Sequence, residues 1–568
     1  MKKLIAVLLS LSMLTALAGC SKKSEETTKK TKKTKDTKVT ETEAPTETET
    51  EPTETTEETT ETEETTTTNA TFAPGKDYPV SADFAISEDL TNVDYDIEST
   101  YRGYGRIVGD DRQSPVASIR KDIELIRFSP ENEEQYSQLW NTLEANHVNL
   151  DHNYNNLYDQ KLPDFVASLD NGQYKTDINM ESGIDVFRAD TQYFNYLTWQ
   201  DYSEPSLENG SVITHNYRTS DGGEIMFDEV VTDRAGFAAF FEEYICGAEE
   251  YEYLFAEARE LAKKISNEEE YIDFLIGYDA IYIVNNINGS RYYDLFKIPA
   301  MFAGDYIDVS YFGSTPENYI LGNDVYDRIT WDLDKDGDLD NVAVKFEKDE
   351  YDCIMGASII FDGTMETPIP GNELAEDLIS FTGMKLMSTD SGYYAYVSFA
   401  SEEADPEVYI FFLEENAFIY IGKITGNFCN RPAYDPARFE IRNRNDIFGT
   451  GEMTSICSVI GNEGMPKKVE QFCAKDGLGV NNKEFQATLV ELDGTPVGSA
   501  KIPADTTIRA ISIDLDNNWI ICSTLEEDES KNIVFVIDVA INDDGTITYC
   551  GKDNILQDDM FSGLRYAG

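Results

Sequence analysis

The sequence predicts an α+β domain with an antiparallel sheet, followed by an all-β domain that is propeller-like or a sandwich. Two observations lead to this fold class. Helix-like and strand-like segments are mixed between residues 79 and 318, whereas residues 319–568 contain short apolar-alternating runs separated by Gly, Asp and Asn. The first 78 residues differ from both, with an apolar leader over residues 1–20 and a polar tract over residues 21–78.

The leader is typical of a secretory signal peptide. Two lysines precede an apolar run from Leu4 to Leu17, which is too short to remain as a membrane-spanning helix. The segment Leu17-Ala18-Gly19-Cys20 resembles the bacterial lipobox, which implies cleavage before Cys20 and a diacylglyceryl group on its thiol. Because two acyl chains give stable anchoring, we expect Cys20 to hold the chain on the extracytoplasmic face of the cell membrane.

The polar tract is predicted to be a disordered tether. It consists almost entirely of Ser, Thr, Lys, Glu and Pro, so it has too little apolar surface to offset the entropy of ordering. Its lysines come first, beside the lipid anchor, and eleven glutamates follow between Glu41 and Glu64. We expect the basic half to lie on anionic lipid and the acidic half to hold the body away. A solvated spacer is favoured over a specific binding tail.

The charge of the chain limits the classes of partner. The net charge is −61. The first 75 residues hold 10 lysines and 14 acidic residues, so the rest carries 36 basic and 93 acidic residues, a net charge of −57. This excess argues against nucleic acid, whose binders need basic patches. It favours metal ions, basic proteins or basic peptides as partners, with solubility alone as the simpler explanation.

Residues 79–318 combine amphipathic helices with strand-like runs. A helix is predicted from Glu133 to Asn146, with apolar side chains on one face. A second helical region is predicted from Arg234 to Ile265, capped by Asp233 and interrupted at Gly247. Strands are predicted at residues 184–187, 193–197, 213–217, 271–277, 281–284 and 306–311.

Five segments of this domain carry a family resemblance: residues 186–191, 215–225, 227–231, 274–282 and 298–304. Their order is similar to the extracellular domain of RsiV-type anti-sigma factors, which respond to lysozyme. It also resembles the paired domains of unknown function that precede the catalytic domain of a peptidoglycan deacetylase. The resemblance implies an extracellular recognition domain for lysozyme or another basic, wall-associated protein.

The chain departs from that family in two ways. Tyr278-Asp279-Ala280 stands where the family has Tyr-Asp-Gly, and neither a sigma-binding segment nor a transmembrane helix is recognisable. A lipid-anchored chain of this kind has no means of holding a sigma factor across the membrane. Residues 221–223 are expected to form a hairpin turn, and residues 298–304 a short helix or turn.

Residues 319–568 predict many short strands. Regular strands with turn signals are typical of a β-sandwich, barrel or propeller, although no clean internal repeat is present. Strands are predicted at residues 341–346, 354–361, 393–399, 408–413, 418–422, 455–460, 485–492, 508–513, 519–522 and 533–540.

One loop of this second domain predicts a calcium site. Acidic residues occupy alternate positions of a nine-residue segment, with Gly337 at its sixth position: Asp332, Asp334, Asp336, Asp338 and Asp340. A hard cation such as Ca²⁺ takes six to eight oxygen ligands, which carboxylates of a tight loop can supply. Because the flanks are strand-like and Ala343 stands at the twelfth position, the loop is not an EF-hand and instead resembles the calcium hairpins of integrin-type propeller repeats. A structural Ca²⁺ is favoured over a metal-free acidic turn.

Two further acidic segments predict plain turns. Residues 514–518 lack the glycine and the closing aspartate of the calcium motif, and residues 542–545 read as a hairpin turn. The seven cysteines beyond Cys20 have no CxxC spacing, so most are expected to be small buried side chains rather than a disulfide framework or zinc site.

The sequence predicts a binding protein rather than an enzyme. Only three histidines are present, at positions 147, 152 and 215, and no metalloprotease, serine-hydrolase or phosphate-loop motif occurs. We expect a lipid-anchored protein that recognises a basic protein, such as lysozyme, or a cell-wall component, with a structural calcium site. A wall-active hydrolase with an unrecognised site and an adhesion or structural scaffold are the alternatives.

Overall fold

The computed structural model describes residues 78–108, 116–172, 177–204, 207–247, 254–268, 270–286, 291–322, 328–349, 354–371, 378–401, 406–428, 434–542, 545–550 and 555–566. The described residues all belong to one compact unit. The leader, Cys20 and the tether up to residue 77 lie outside the described residues, as do Cys353 and Cys429. No helix in the described ranges is long and apolar enough to cross a membrane.

Residues 78–318 contain the longer helices and a large sheet. The strands are β1 (Ser87–Leu90), β2 (Tyr95–Ile107), β3 (Val116–Phe128), β4 (Ile178–Ala189), β5 (Tyr193–Glu204), β6 (Leu207–Arg218), β7 (Phe274–Ile276), β8 (Ala280–Asn286), β9 (Tyr293–Pro299) and β10 (Ser314–Pro316). The helices are α1 (Pro130–Gln135), α2 (Ser137–Asp170), α3 (Phe227–Val230), α4 (Arg234–Cys246), α5 (Phe255–Ile265) and α6 (Ala300–Ala303).

The large sheet is mixed rather than purely antiparallel, which corrects the predicted sheet type. Its order is β2-β3-β4-β5-β6, and β3 runs parallel to β4 while the other neighbours are antiparallel. A parallel pair needs a long crossover connection. Helix α2 supplies it and continues 24 residues beyond the predicted end at Asn146, through Pro163 to Asp170.

The smaller predicted elements are largely present. The side chain of Asp233 accepts a hydrogen bond from the backbone of Gly236 at 3.0 Å, and α4 ends at Gly247, as expected from the cap and the break. The turn at Asp221 to Gly223 places Gly222 at φ +63°, where glycine is unstrained. The strand predicted at residues 306–311 is wrong, because Val309–Tyr311 forms a 3₁₀ turn capped by Asp308.

Residues 319–568 are strand-rich, as predicted. Their strands are β11 (Tyr319–Leu321), β12 (Arg328–Trp331), β13 (Asp340–Lys348), β14 (Ile354–Phe361), β15 (Met365–Pro368), β16 (Leu378–Thr389), β17 (Gly392–Ser401), β18 (Glu407–Glu414), β19 (Ala417–Thr425), β20 (Asn427–Phe428), β21 (Phe439–Asn445), β22 (Gly451–Ser458), β23 (Lys467–Lys468), β24 (Cys473–Asn481), β25 (Phe485–Val490), β26 (Pro496–Ile502), β27 (Thr507–Asp514), β28 (Trp519–Thr524), β29 (Val534–Ile541), β30 (Ile547–Tyr549), β31 (Ile555–Leu556) and β32 (Phe561–Ser562). A 3₁₀ turn (Glu529–Lys531) and a short helix, α7 (Gln557–Met560), complete the elements of the described part.

These strands form sheets of unequal size rather than a ring of repeated blades. One sheet has the order β11-β16-β17-β18-β19, another the order β12-β13-β14-β15, and the largest is a curled half-barrel whose main path is β20-β21-β22-β24-β27-β28-β29-β25-β26. A propeller needs similar four-stranded blades around an axis. The propeller-like prediction is therefore replaced by a β-rich body built around a curled nine-strand path.

The core is continuous across the predicted boundary at residues 318 and 319. Every strand pairing in the described ranges joins strands on the same side of that boundary. The largest hydrophobic cluster nevertheless contains residues from both sides, including Leu139 and Tyr196 from the first and Trp331 and Tyr409 from the second. The two halves thus share buried surface and meet along a seam.

Candidate functional site

The predicted calcium loop closes the hairpin between β12 and β13. Trp331 and Asp340 are opposite each other at the ends of the two strands, so residues 332–339 form the loop. Its backbone turns through positive φ at two positions, Lys335 at +62° and Gly337 at +94°. The space around Gly337 is open, so glycine is needed there for its conformational freedom rather than for close packing.

Three of the five predicted ligands converge. Asp332, Asp334 and Asp340 each place one carboxylate oxygen within 4.8 Å of the others. Asp336 and Asp338 are exposed and are not members of this group. The residues that could hold a metal ion together are therefore those at the first, third and ninth positions of the motif.

Backbone hydrogen bonds hold these carboxylates in place. Asp340 accepts from the N–H groups of Leu333 at 2.7 Å and Asp334 at 3.3 Å, and Oδ2 of Asp332 accepts from Gly337 at 3.2 Å. The other oxygen of Asp332, Oδ1, is buried and has no hydrogen-bond partner. An orphaned carboxylate oxygen beside two converging carboxylates is a donor set that fits a hard cation such as Ca²⁺.

The pKa of Asp340 shows that ionisation of this carboxyl is disfavoured in the loop. Burial, with the nearby charges of Asp362 and Asp334, raises its pKa to about 6. Like charges in one site disfavour ionisation, and a bound cation would reverse that effect. A divalent ion bound between Asp332, Asp334 and Asp340 would therefore favour their ionised forms.

The loop lies at the seam between the two halves. Trp331 is fully buried, and its indole N–H donates to the hydroxyl of Tyr319 at 2.8 Å. The ring of Phe84, from the first half, meets the Trp331 ring edge-on at 6.4 Å. At the tip of the loop, Nζ of Lys335 pairs with Glu88 on β1 at 2.8 Å. The hairpin of the second half therefore contacts the first half both at its base, through Trp331, and at its tip, through Lys335.

The related segment at Asp514 is a turn, in agreement with its predicted role. Asp514 is fully buried and accepts hydrogen bonds from the backbone of Asp516 and Asn517 and from the side chains of Gln471 and Asn517. These bonds lower its pKa despite the burial. Both oxygens of Asp514 are thus hydrogen-bonded within and around the turn. Of the other predicted turn, Asp543 and Asp544 lie outside the described residues.

A second candidate site, which the sequence reasoning missed, is a cleft of about 550 Å³ at the seam. Its walls come from the start of β2, from β3 and β4, and from the segment that leads into β21 and β22. Six acidic residues line it together with one basic residue, Arg438: Asp94, Asp96, Glu124, Asp435, Glu440 and Glu470. Ligand pockets of roughly 300–1,000 Å³ are the usual size for small molecules and short segments.

The basic residue of the cleft is already engaged. Arg438 pairs with Asp96 at 3.2 Å and with Glu470 at 2.6 Å. Asp435 accepts a hydrogen bond from the backbone of Ala437 at 2.8 Å, and burial together with the charge of Asp94 raises its pKa to about 6. Among the described residues, no cation lies within ion-pair distance of Asp94 or Asp435.

The residues that carried the family resemblance lie mainly in the core. Arg188 and Asp190 form a fully buried ion pair, and Asp279 pairs with Lys297 at 2.5 Å in a buried position. His215 stacks on the ring of Tyr196, with the ring centroids 4.5 Å apart. These contacts explain how the first half holds together.

Similarity to known proteins is found in structure and not in sequence. The chain is similar to members of the DUF3298 family. One is from Bacteroides fragilis, with 10% identity, a TM-score of 0.25 and coverage of 38% of this chain and 96% of that one. Another is from Pseudomonas aeruginosa, with 10% identity, a TM-score of 0.25 and coverage of 39% and 98%. They match the RsiV-type resemblance only loosely.

Neither sequence comparison assigns the chain to a family. No family profile matches the sequence, and no curated protein matches it.

Proposed function

We propose that this chain is a lipid-anchored, extracytoplasmic binding protein for a basic protein such as lysozyme or for a cell-wall component. The net charge of −57 beyond residue 75 carries the proposal. A body this acidic attracts cationic partners over distances comparable to the Debye length and repels anionic ones. Complementary charge of this kind raises association rates and selects partners.

The anchor and the tether define where this binding takes place. Acylation of Cys20 would fix the chain to the outer face of the membrane. A coil of about 55 residues has an end-to-end distance of roughly 40 Å, which would hold the acidic body within reach of the cell wall. Basic proteins that enter the wall would meet the body before they reach the membrane.

The calcium loop has a structural role in this proposal. Asp332, Asp334 and Asp340 would hold the ion, and Ca²⁺ supplies charge neutralisation there rather than chemistry. Because Lys335 and Trp331 connect the same loop to both halves, an ion in it would stiffen the seam. Extracellular calcium modules commonly have affinities of about 10⁻⁴–10⁻³ M, which suits the proposed location.

Binding of lysozyme to the full-length chain in mild detergent tests the proposal. We expect saturable binding at low salt that weakens as salt is added, because exposed charges are screened. Lysozyme with acetylated lysines is the matched control, since acetylation removes positive charge while leaving the rest of the partner in place. Equal binding of both forms, or no saturable binding at low salt by either lysozyme or solubilised wall fragments, would contradict the proposal.

A further inference from the structure

The cleft at the seam has an unusual arrangement of two tyrosines and two aspartates. Tyr95 and Tyr434 stack with their rings nearly parallel, 6.1 Å apart and 14° inclined, across the junction of the two halves. Asp94 precedes the first tyrosine and Asp435 follows the second, and both aspartates line the cleft. The tyrosine pair therefore brings one carboxylate from each half to the same opening.

Asp94 and Asp435 both line this opening, and the charge of Arg438 offsets theirs only in part. Asp94 contributes a repulsion that helps raise the pKa of Asp435. Arg438, the one basic residue in the lining, is within ion-pair distance of Asp96 and Glu470 instead. Repulsion between like charges persists in a folded protein only where the rest of the structure enforces it. A positive group placed between Asp94 and Asp435 would remove it.

We propose that this cleft binds a cationic peptide segment, with a lysine or arginine side chain placed between Asp94 and Asp435. The proposal rests on the proposed function and names the site and the chemical class of its ligand. The cleft holds about 550 Å³ and also has apolar walls, which include Ile97, Ile184 and Val186. Long basic side chains lay their methylene stems along such walls while their charged ends reach the carboxylates.

Calorimetric titration of the full-length chain with tetralysine at low salt is the direct test. The variant Asp94→Asn/Asp435→Asn keeps the shape of both side chains and removes both charges, and we expect it to weaken binding at least tenfold. The control Asp390→Asn/Glu527→Gln removes the same charge from exposed positions outside the cleft and is expected to change binding less than twofold. The control is needed because the glutamates of the tether also attract polycations.

Hydrogen exchange of the unmodified chain gives a result that does not depend on a variant. Tetralysine is expected to slow exchange at residues 94–99 and 434–440, which form two walls of the cleft. The absence of protection there, or equal binding by the Asp94→Asn/Asp435→Asn variant and the unmodified chain, would overturn the proposal. If that variant bound lysozyme as well as the unmodified chain does, the cleft would not be the binding site, while the proposed function would be supported. Tetralysine protection of the cleft without binding of either lysozyme or solubilised wall fragments would overturn the proposed function and leave the cleft as a site for cationic peptides.

Discussion

The guanidinium of Arg188 donates a hydrogen bond of 2.5 Å to the carboxylate of Asp190, and both side chains are 0% exposed. Arg188 also donates to the carbonyl oxygens of Gly277 and Tyr311, at 3.2 and 3.0 Å. One buried arginine therefore links β4 to the turn after β7 and to the 3₁₀ turn that precedes β10. Hydrogen bonds in this many directions require the five N–H donors of a planar guanidinium, which the ammonium group of lysine does not provide.

We expect Arg188→Lys to destabilise the protein by about 3 kcal/mol or more, because it leaves the buried Asp190 and several carbonyl groups poorly paired. Denaturant unfolding monitored by tryptophan fluorescence measures this change. The matched control is Lys263→Ala, which breaks an exposed ion pair with Glu260 and should cost less than about 1 kcal/mol. Equal costs for the two substitutions would show that the buried pair has no special role.

Two aspartates of the candidate calcium loop, Asp332 and Asp338, are expected to differ in their effect on stabilisation by Ca²⁺. Added Ca²⁺ is expected to raise the melting temperature of the unmodified chain, since a ligand that binds only the folded state stabilises it. Asp332→Asn should abolish that increase, because it changes the buried, unpartnered oxygen of the converging group. Asp338→Asn should retain it, because that exposed side chain lies outside the group.

Calorimetry with Ca²⁺ separates ligand loss from misfolding in the same pair of variants. Heat of binding is expected for Asp338→Asn and not for Asp332→Asn, and the two variants should have similar melting temperatures without Ca²⁺. A loss of heat in both variants would mean that the exposed aspartate is also a ligand. The lack of any heat in the unmodified chain would remove the calcium site.

The local pattern of the sequence predicted much of the second half. The strands expected at residues 354–361 and 508–513 are present as β14 (Ile354–Phe361) and β27 (Thr507–Asp514), and the acidic hairpin occurs between β12 and β13. Alternating apolar residues and turn signals are local properties, so one sequence is sufficient to find them.

Pairings between distant segments were not predictable in this way. Strands β3 and β4 are adjacent and parallel, although the paired residues Ile119 and Ile178 are 59 positions apart. The cleft combines Asp94 with Asp435, more than 300 positions apart. The same limit applies to Arg188, whose donors reach residues near positions 277 and 311. No property of the individual segments signals which of them will meet.

Buried His147 and half-buried His215 are expected to make the protein sensitive to acid. Burial lowers the pKa of His147 to about 4, and burial together with His147 lowers the pKa of His215 to about 4. Nε2 of His147 accepts from the backbone of Ile126, while its Nδ1 is buried without a partner. Because the unfolded chain binds these protons near pH 6.5 and the folded chain only near pH 4, stability is lost as the pH falls through this window.

The expected loss for His147 is on the order of 3 kcal/mol below pH 4. The variant His147→Gln/His215→Gln should have a flatter dependence of unfolding free energy on pH between 6.5 and 4. His152→Gln is the control, since that ring is exposed, and it should follow the unmodified chain. If the unfolding free energy of the double variant fell with pH as steeply as that of the unmodified chain, groups other than these two histidines would cause the loss of stability.

The lipid anchor is tested by a single substitution in the leader. Cys20→Ser removes the thiol that the lipobox resemblance marks for diacylglyceryl transfer, so the variant should lose incorporation of labelled fatty acid and partition into the aqueous phase of a detergent extract. Cys246→Ser, in the folded body, should keep both the label and the membrane association. Retained label in Cys20→Ser would place the acyl group elsewhere.

Arg509 joins the two halves on the side of the seam formed by β3 and β27. Its guanidinium lies 3.4 Å from the ring centroid of Tyr101 and pairs with Asp122 at 3.1 Å and Asp476 at 3.0 Å. Burial raises the pKa of Asp122 to about 6, and Arg509 opposes that rise. Removal of the arginine leaves Asp122, one of whose oxygens is buried without a partner, as an uncompensated charge.

We therefore expect Arg509→Gln to destabilise the protein by about 3 kcal/mol at pH 7.5 and by less at pH 5. The pH dependence follows from the sign of the shift, because without Arg509 the pKa of Asp122 rises further above its unfolded value, and stability falls as the pH increases through that pKa. Unfolding at both pH values measures it, with the exposed Lys531→Gln as control. Adding Asp122→Asn should recover most of the loss at pH 7.5, whereas an additive second loss would mean that the two side chains act independently across the seam.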